Sequence, residues 1–413
     1  RDTVLHRDDD HPGQALAYYA SRGETPLVWG GAGARALGLV GTVTEAQYAA
    51  IYGPGGAVDP TTGERLVNTR RPGMELVIAA HKSVAELGVI GRAEDMHRIL
   101  DAERNATLAY LDDLVRLRGG RRGAASVATP TAGITYAVTR HATSRAGDPS
   151  PHDHVLIANL LRMDDDRGGW KATDMSLLRD HLHAATMHGR MAAAREAVRL
   201  GYGIEADDGP SGRLGQWAIA GVPIAALEVH SKRAAEITAE THRRGFDSYR
   251  ARGIVARDNR APKAHQPVAD LMARWHAELE AVGWPVGELE RSVAQARSQS
   301  RRPRPLQPAE RDRIVAEVLA LDGALAARKV FSRRDVVVAV APKLFGHDPS
   351  ELRRTVDRVL ADPEAIPLVA TPMARERAYA TATGIATEQA IAAAVEIEVA
   401  RTDAPAVDEG DAR

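Results

Sequence analysis

His152-Asp153-His154 sets two imidazoles two residues apart, and on a β-strand residues at that spacing project from the same face. His141 stands upstream in a segment, 133–143, that alternates. Ile134, Tyr136 and Val138 take one side, and Thr135, Ala137, Thr139 and His141 take the other. Residues 152–160 alternate as well, with His152, His154, Leu156 and Ala158 against Val155 and Ile157. Such patterns predict two strands, and the polar stretch 144–151 between them makes an antiparallel pair that brings His141 beside His152 and His154. Three neutral imidazoles can hold one divalent ion and leave coordination positions open for water or substrate. Because the ligands carry no charge, the ion keeps its full positive charge to polarise a phosphate oxygen.

A lone His-x-His is more often a pair of polar residues on a wet sheet face, and the third histidine on a neighbouring alternating strand is what favours a metal. A cupin-type oxygenase also uses His-x-His, but it needs an all-β barrel, whereas this chain reads as mainly helical. A hydrolytic zinc enzyme would need only the three histidines and an activated water. Neither accounts for the adjacent pair Tyr18-Tyr19 near the start of the chain.

The elements around these residues follow from pattern and punctuation. A short Ala-rich helix over 14–20 carries Tyr18 and Tyr19. Residues 44–52 form a helix with Thr44 as N-cap, the Pro- and Gly-rich stretch 53–71 is loop, and 74–79 alternates as a strand. Helices fill 84–90, 93–118, 176–200, 225–244 and 268–282. Residues 298–308, Ser-Gln-Ser-Arg-Arg-Pro-Arg-Pro-Leu-Gln-Pro, form a basic, Pro-rich linker. Beyond it 309–400 reads as helical, with Ser332 capping a helix over 336–341, and the acidic tail 401–413 as disordered. The division is therefore 1–255, 256–308, 309–400 and the tail. The fold class is α+β, an antiparallel sheet with flanking helices followed by a helical C-terminal region.

With 413 residues the chain is too long for one ordinary core. Its 54 Lys and Arg against 55 Asp and Glu give no global basic charge, so nucleic-acid contacts must come from local patches. The absence of cysteine removes disulfides, Cys-zinc sites and thiol nucleophiles. No stretch approaches the roughly 20 apolar residues of a membrane span and no signal peptide opens the chain, so a soluble, cytoplasmic protein without membrane insertion is expected. The first residue is Arg1 rather than Met, so removal of an earlier start is expected.

Taken together, the residues resemble the relaxase domain of TrwC/TraI-type (MobF) conjugative relaxases, particularly actinobacterial members. The resemblance covers about 12–250. It rests on Ala17-Tyr18-Tyr19, on Trp29-Gly30-Gly31 leading to Leu37-Gly38-Leu39, and on Glu75-Leu76-Val77 running into His81-Lys82-Ser83-Val84. Its most specific stretch is Arg140-His141-Ala142-Thr143-Ser144-Arg145 continuing to Asp148-Pro149, His152 and His154.

That resemblance implies a palm-like sheet of the HUH endonuclease kind, with His141, His152 and His154 binding a divalent metal (Mg, Mn or Zn). Tyr18 would attack the scissile phosphate of single-stranded DNA at a transfer origin, leaving a 5′-phosphotyrosine and a free 3′-hydroxyl. Relaxosome and coupling proteins are the further partners it implies. On a helix Tyr18 and Tyr19 differ by about 100° in direction, so one alone faces the metal and Tyr19 is expected to pack on the core. Glu75 stands where many relatives carry aspartate, in a role that either assists the tyrosine or orients a metal-bound histidine. Some relatives carry a second tyrosine pair a few residues on; here the next are Tyr48 and Tyr52, in a different helix.

Residues 256–400 resemble more weakly the helical region that leads into the helicase, notably Ser332-Arg333-Arg334-Asp335-Val336. No Gly-x-x-x-x-Gly-Lys-Ser/Thr loop is present, so the chain is expected to end before the motor. Lys82, Arg145, Lys232 and Arg233 are the candidates for phosphate contacts. A rolling-circle replication initiator with the same chemistry and a non-catalytic DNA-binding module are the alternative readings.

Overall fold

The computed structural model describes residues 2–4, 25–115, 117–122, 125–164, 168–207, 215–246, 248–258, 266–300, 304–326, 328–369 and 376–402. Tyr18, Tyr19 and the helix expected over 14–20 lie outside the described residues. The chain divides into two compact units, Arg1–Arg304 with Phe345–His347 and Pro305–Leu344 with Asp348–Arg413.

The first unit is built on a seven-stranded sheet. Its strands are β1 (Asp2–Val4), β2 (Val28–Gly30), β3 (Gly73–Ala79), β4 (Leu117–Arg122), β5 (Ala125–Thr143), β6 (Pro149–Met163) and β7 (Trp170–Lys171). The order is β1-β3-β6-β5-β2, with β4 on β5 and β7 on β6, and each of these pairings is antiparallel. Strand β5 starts earlier than its alternation suggests, because 125–130 (Ala-Ser-Val-Ala-Thr-Pro) pair with β4 (Leu-Arg-Gly-Gly-Arg-Arg) in a ribbon that carries no apolar period.

Two helical layers cover the sheet. On one face lie α1 (Ala32–Ala36) and α2 (Glu45–Tyr52), where Trp29, Ala34, Tyr48, Ile51 and Tyr52 pack with Ala137, Leu156, Ala158 and Leu160. Thr44 caps α2 as expected, in a reciprocal capping box with Gln47. Next come α3 (Lys82–Val89) and α4 (Ala93–Val115), then α5 (Met175–Asp180) and α6 (Leu182–Arg199). Leu108, Leu111, Leu178 and Leu182 from these helices cover the opposite face at Met74, Leu76, Ile134, Val155 and Ile157. The single helix expected over 176–200 is broken at His181, which caps both halves.

A small hairpin, β8 (Ile204–Ala206) with β9 (Trp217–Ile219), is followed by α7 (Ile224–Val229), α8 (Lys232–Arg243), α9 (Tyr249–Asp258), α10 (Val268–Ala281) and α11 (Val286–Gln299). The helices of the segment expected over 256–308 therefore pack into the first unit. Leu271, Trp275 and Leu279 of α10 and Leu289 and Val293 of α11 join the core formed by Val84, Leu87, Ile99, Trp217 and Ile219, and residues through Arg304 belong to the first unit. The apolar spacing of four along α10 is a buried helical stripe.

The second unit also departs from an all-helical reading. It comprises α12 (Pro308–Leu319), β10 (Phe331–Ser332), α13 (Arg333–Val340), α14 (Ser350–Leu360), β11 (Ala365–Pro367), β12 (Ala378–Thr381) and α15 (Ala382–Thr402), with a 3-10 turn at Ala341–Leu344. The strands are two to four residues long, too short for an alternating pattern to register in sequence. No helix among the described residues is long and apolar enough to cross a membrane.

Glu103 is buried between α4 and α6, and burial lifts its carboxyl from 4.5 to about 7, with Arg190 opposing and Asp153 adding to the rise. The folded chain thus keeps a proton that the unfolded chain releases, and stability is lost as pH climbs from about 4.5 to about 7. Glu103→Gln removes that dependence. Urea unfolding should show the wild type losing roughly 3 kcal/mol relative to the variant between pH 4.5 and 7.5.

Candidate active site

The three central strands bring the histidines together by register. His141 on β5 pairs with His152 on β6, Thr139 pairs with His154, and β3 runs on the other side with Val77 opposite His154 and Ala79 opposite His152. All three imidazoles therefore leave the sheet on the face of α1 and α2, beyond the apolar cover those helices provide. Their ring centroids lie 4.5–5.5 Å apart, and one nitrogen from each falls within 4.8 Å of the others. Three nitrogens at about 2.1 Å from one ion sit roughly 3–3.5 Å apart, so small ring rotations complete the site.

The second nitrogen of two rings is already committed, which decides the tautomer. Nδ1 of His154 donates to Oε1 of Glu75 at 2.5 Å, and Nδ1 of His152 donates to the carbonyl of Ser150 at 2.6 Å. A carbonyl can only accept, so His152 keeps its Nε2 lone pair for a ligand, and the Glu75 carboxylate imposes the same on His154. Glu75 reaches His154 diagonally, since its own cross-strand partner is Leu156. Glu75, His141 and His154 are buried and His152 is half-buried, so access is from the His152 side. The set fits a divalent cation with three imidazole ligands and a carboxylate behind one of them.

The turn between β5 and β6 is a clasp. Ser144 Oγ donates to Asp148 Oδ2 at 3.0 Å and accepts from the Asp148 amide at 3.1 Å, while Gly147 takes φ 76°, a conformation that favours glycine. Asp148, 1% exposed, also accepts from the Arg233 amide at 3.0 Å and faces Lys232 Nζ at 3.2 Å. Lys82 Nζ donates to the Pro149 carbonyl at 2.8 Å. Arg274 and Trp275 of α10 both donate to the carbonyl of Gly147. Helices α3, α8 and α10 thus fix the start of β6, three residues before His152.

On the reverse face Arg140 and Asp153 are cross-strand partners. Arg140 grips Asp153 through Nε at 2.6 Å and Nη2 at 2.7 Å, Arg104 of α4 adds 3.2 Å, and Asp101 receives Arg140 at 2.9 Å. This pair locks β5 to β6 at the level of the histidines. Asp153→Asn keeps the shape but removes the charge facing two arginines, and should cost roughly 2–3 kcal/mol in denaturant unfolding.

Comparison with known proteins bears on what this site belongs to. A sequence profile of the family described as "TrwC relaxase" matches residues 3–282. The chain belongs to the TrwC relaxase family. It is 27% identical over 362 residues to the Multifunctional conjugation protein TraI of Escherichia coli, a match covering 82% of this chain and 19% of that protein. A TraI from Escherichia coli strain K12 is likewise 27% identical over 363 residues, with 82% and 19% covered. The chain therefore spans about a fifth of the length of these curated relatives. Among solved structures, the conjugative relaxase TrwC in complex with OriT DNA, in its metal-bound form, superposes with a TM-score of 0.58 at 23% identity, covering 69% of this chain and 99% of that one. TrwC with a 27-mer DNA comprising the recognition hairpin and cleavage site gives 0.56 at 24%, with the same coverage. At these identities the likeness is one of fold, and it agrees with the expected palm-like sheet and flanking helices.

Within this TrwC-family fold the structure assembles His141, His152, His154 and Glu75. Tyr18 and Tyr19 lie outside the described residues, but the chain just after them is anchored at the site. Thr25 Oγ1 accepts from the Arg140 amide at 2.8 Å and lies beside Thr139, which shares the face of His141. The four basic candidates differ in placement. Lys82, Lys232 and Arg233 are engaged in the clasp, and burial pulls the Lys82 ammonium below its ordinary value, with Asp148 opposing. Lys232 also meets Glu278 at 2.7 Å and Arg233 meets Glu236 at 3.0 Å. Arg145 sits half-buried in the turn itself. The contacts of Asp148 and Asp153 went unread in the sequence; the signal available was Asp153 between two histidines of the cluster and Asp148 four residues before His152.

Proposed function

We propose that this chain is a conjugative DNA relaxase that nicks single-stranded DNA at a transfer origin, becomes covalently joined to it through Tyr18, and transfers or rejoins the strand. The observation that carries this reading is the three-histidine cluster with Glu75 bonded behind His154, set beside the anchor point of the tyrosine segment. Thr25 follows Tyr18 by seven positions, a tether of at most about 25 Å, so the phenol can reach the cluster. TrwC has been observed in complex with OriT DNA, and a DNA site of that kind, with relaxosome and coupling proteins as partners, is the substrate class assigned here.

In the reaction the Tyr18 oxygen forms a bond to phosphorus and the bond from phosphorus to the 3′-oxygen breaks. The phenol gives up its proton and the departing 3′-oxygen gains one, leaving a 5′-phosphotyrosine and a 3′-hydroxyl. His141, His152 and His154 would hold a divalent ion, which when bound would offset the negative charge that builds on the phosphate and the leaving oxygen. Glu75 holds His154 in the tautomer that presents Nε2. His152, the more open ring, marks the approach of the phosphate, and Arg145 is the basic side chain of the turn assigned to an adjacent phosphate. Tyr19, about 100° away if the segment is helical, is assigned to packing.

The test is incubation with single-stranded oligonucleotides spanning the transfer origin of the parent element, followed by denaturing electrophoresis. A protein band shifted by covalent DNA, formed with metal and absent in chelator, is expected. Efficient cleavage without any adduct would refute the reading.

A further inference from the structure

The second unit carries a binding surface that the strand-transfer chemistry does not use. Its order is helix, strand, helix, helix, strand, strand: α12, β10, α13, α14, β11, β12. The three strands are antiparallel with β12 in the middle, paired to β10 on one side and β11 on the other. This is the connectivity of a winged helix-turn-helix, in which the last helix before the hairpin enters the DNA groove. Ile314, Val318, Phe331, Val336, Val340, Leu352, Val356 and Val359 are buried, and Phe331 stacks on Tyr379 across β10 and β12 at 5.9 Å. A reciprocal capping box of Ser332 and Asp335 starts α13.

Helix α14 is sharply two-sided. Glu351, Leu352, Thr355, Val356 and Val359 are buried, while Arg353, Arg354, Asp357 and Arg358 are exposed. Its outer side therefore presents three guanidinium groups and one carboxylate. Arg353 has no hydrogen bond or ion pair among the described residues. Arg358, 44% exposed, pairs with exposed Asp312 at 3.2 Å, a contact worth little, whereas Arg354, 64% exposed, meets the buried Glu351 at 2.7 Å. Turning Arg358 to a phosphate is therefore inexpensive, and turning Arg354 does not leave Glu351 alone. Glu351 keeps a second partner in Arg311 at 2.6 Å. Arg333, 49% exposed at the start of α13, and exposed Arg377 just before β12 extend the basic surface.

We infer that the second unit binds double-stranded DNA, with α14 in the major groove and Arg353, Arg354 and Arg358 on phosphates and base edges. An α-helix of about 10–12 Å diameter matches a major groove about 12 Å wide, and arginine is the side chain best suited to both contacts. The inference is independent of the covalent chemistry. It gives the chain a hold on duplex in addition to the single strand it cuts.

The experiment uses the full chain and a fluorescein-labelled 25-base-pair duplex of arbitrary sequence without hairpins, followed by anisotropy across a salt series. The variant Arg353→Gln/Arg354→Gln/Arg358→Gln keeps good helix formers at each position. It should bind the duplex at least tenfold more weakly at about 0.1 M salt. Its salt slope should fall by about 0.9 for each phosphate that the variant no longer neutralises, up to about 2.7. Arg313→Gln/Lys329→Gln, which removes two exposed charges of the same unit away from α14, should leave both values as in wild type. Adduct formation on single strands should be unchanged in the triple variant. If the triple variant melts below wild type, Arg353→Glu, which breaks no pair, replaces it and should still lower affinity and slope. Wild-type affinity and slope in the α14 variants, or an equal weakening in the control, would overturn the inference, as would binding by this unit to single strands alone.

Discussion

Tyr18→Phe should eliminate the covalent DNA adduct while single-stranded DNA affinity stays within about twofold of wild type. The substitution deletes one oxygen and leaves the ring, so packing and stacking persist and only the nucleophile is removed. The chain has no cysteine, and Tyr48 and Tyr52 are buried in α2 against the sheet, Tyr52 donating to the carbonyl of Leu156 at 2.7 Å. Burial first, and then the nearby Tyr48, push the Tyr52 hydroxyl well above the ordinary tyrosine value, which makes it a poor nucleophile. Those two residues therefore do not form the second pair that some relatives use. Tyr19→Phe should keep most single-nick activity. Adduct yield on a denaturing gel and anisotropy with the same oligonucleotide separate the effects, and an adduct in Tyr18→Phe would reassign the nucleophile.

The second large effect falls on metal affinity. His154→Ala removes a ligand, and Glu75→Gln weakens the bond that orients it. Support of this kind behind a ligand is worth about 10–100-fold in metal affinity, so Glu75→Gln should bind Mn or Zn that much more weakly in calorimetry and nick correspondingly slowly. Excess metal should restore much of the Glu75→Gln rate but little of the His154→Ala rate. The sequence left open a second role for Glu75, as the base that takes the Tyr18 proton. That role predicts unchanged metal affinity and a rate partly recovered at high pH. The 2.5 Å contact between Glu75 and His154 favours the orienting role, and a Glu75→Gln variant with unchanged affinity and rate would remove both.

The metal cluster was legible because strand geometry converts spacing into direction. His152 and His154 differ by two, and alternation on 133–143 assigned His141 to the matching face, as the register of β5 on β6 bears out. Glu75 was legible only through the family motif, since a carboxylate on a short strand says nothing by itself about a diagonal neighbour. The clasp was not legible, because Asp148 draws its partners from Ser144, Lys232 and Arg233, up to 85 residues away. Sequence spacing does not encode such contacts. The breaks at His181 and Ser231 were missed because no proline or glycine marks them; local hydrogen bonds end those helices instead. Of the basic residues, Lys82 and Lys232 looked like phosphate ligands by charge alone. Their closest partners are a carbonyl and two carboxylates of the protein, contacts that sequence spacing does not reveal.

The most direct measurement is to isolate the denaturation-resistant adduct formed on a transfer-origin oligonucleotide, digest it with protease and sequence the peptide that carries nucleotide. Nucleotide attached through a 5′-phosphate to Tyr18, in a yield that collapses in chelator and returns with added divalent metal, is the predicted result. Attachment to any other residue, or an equal yield of adduct with the histidine cluster stripped of metal, would contradict it.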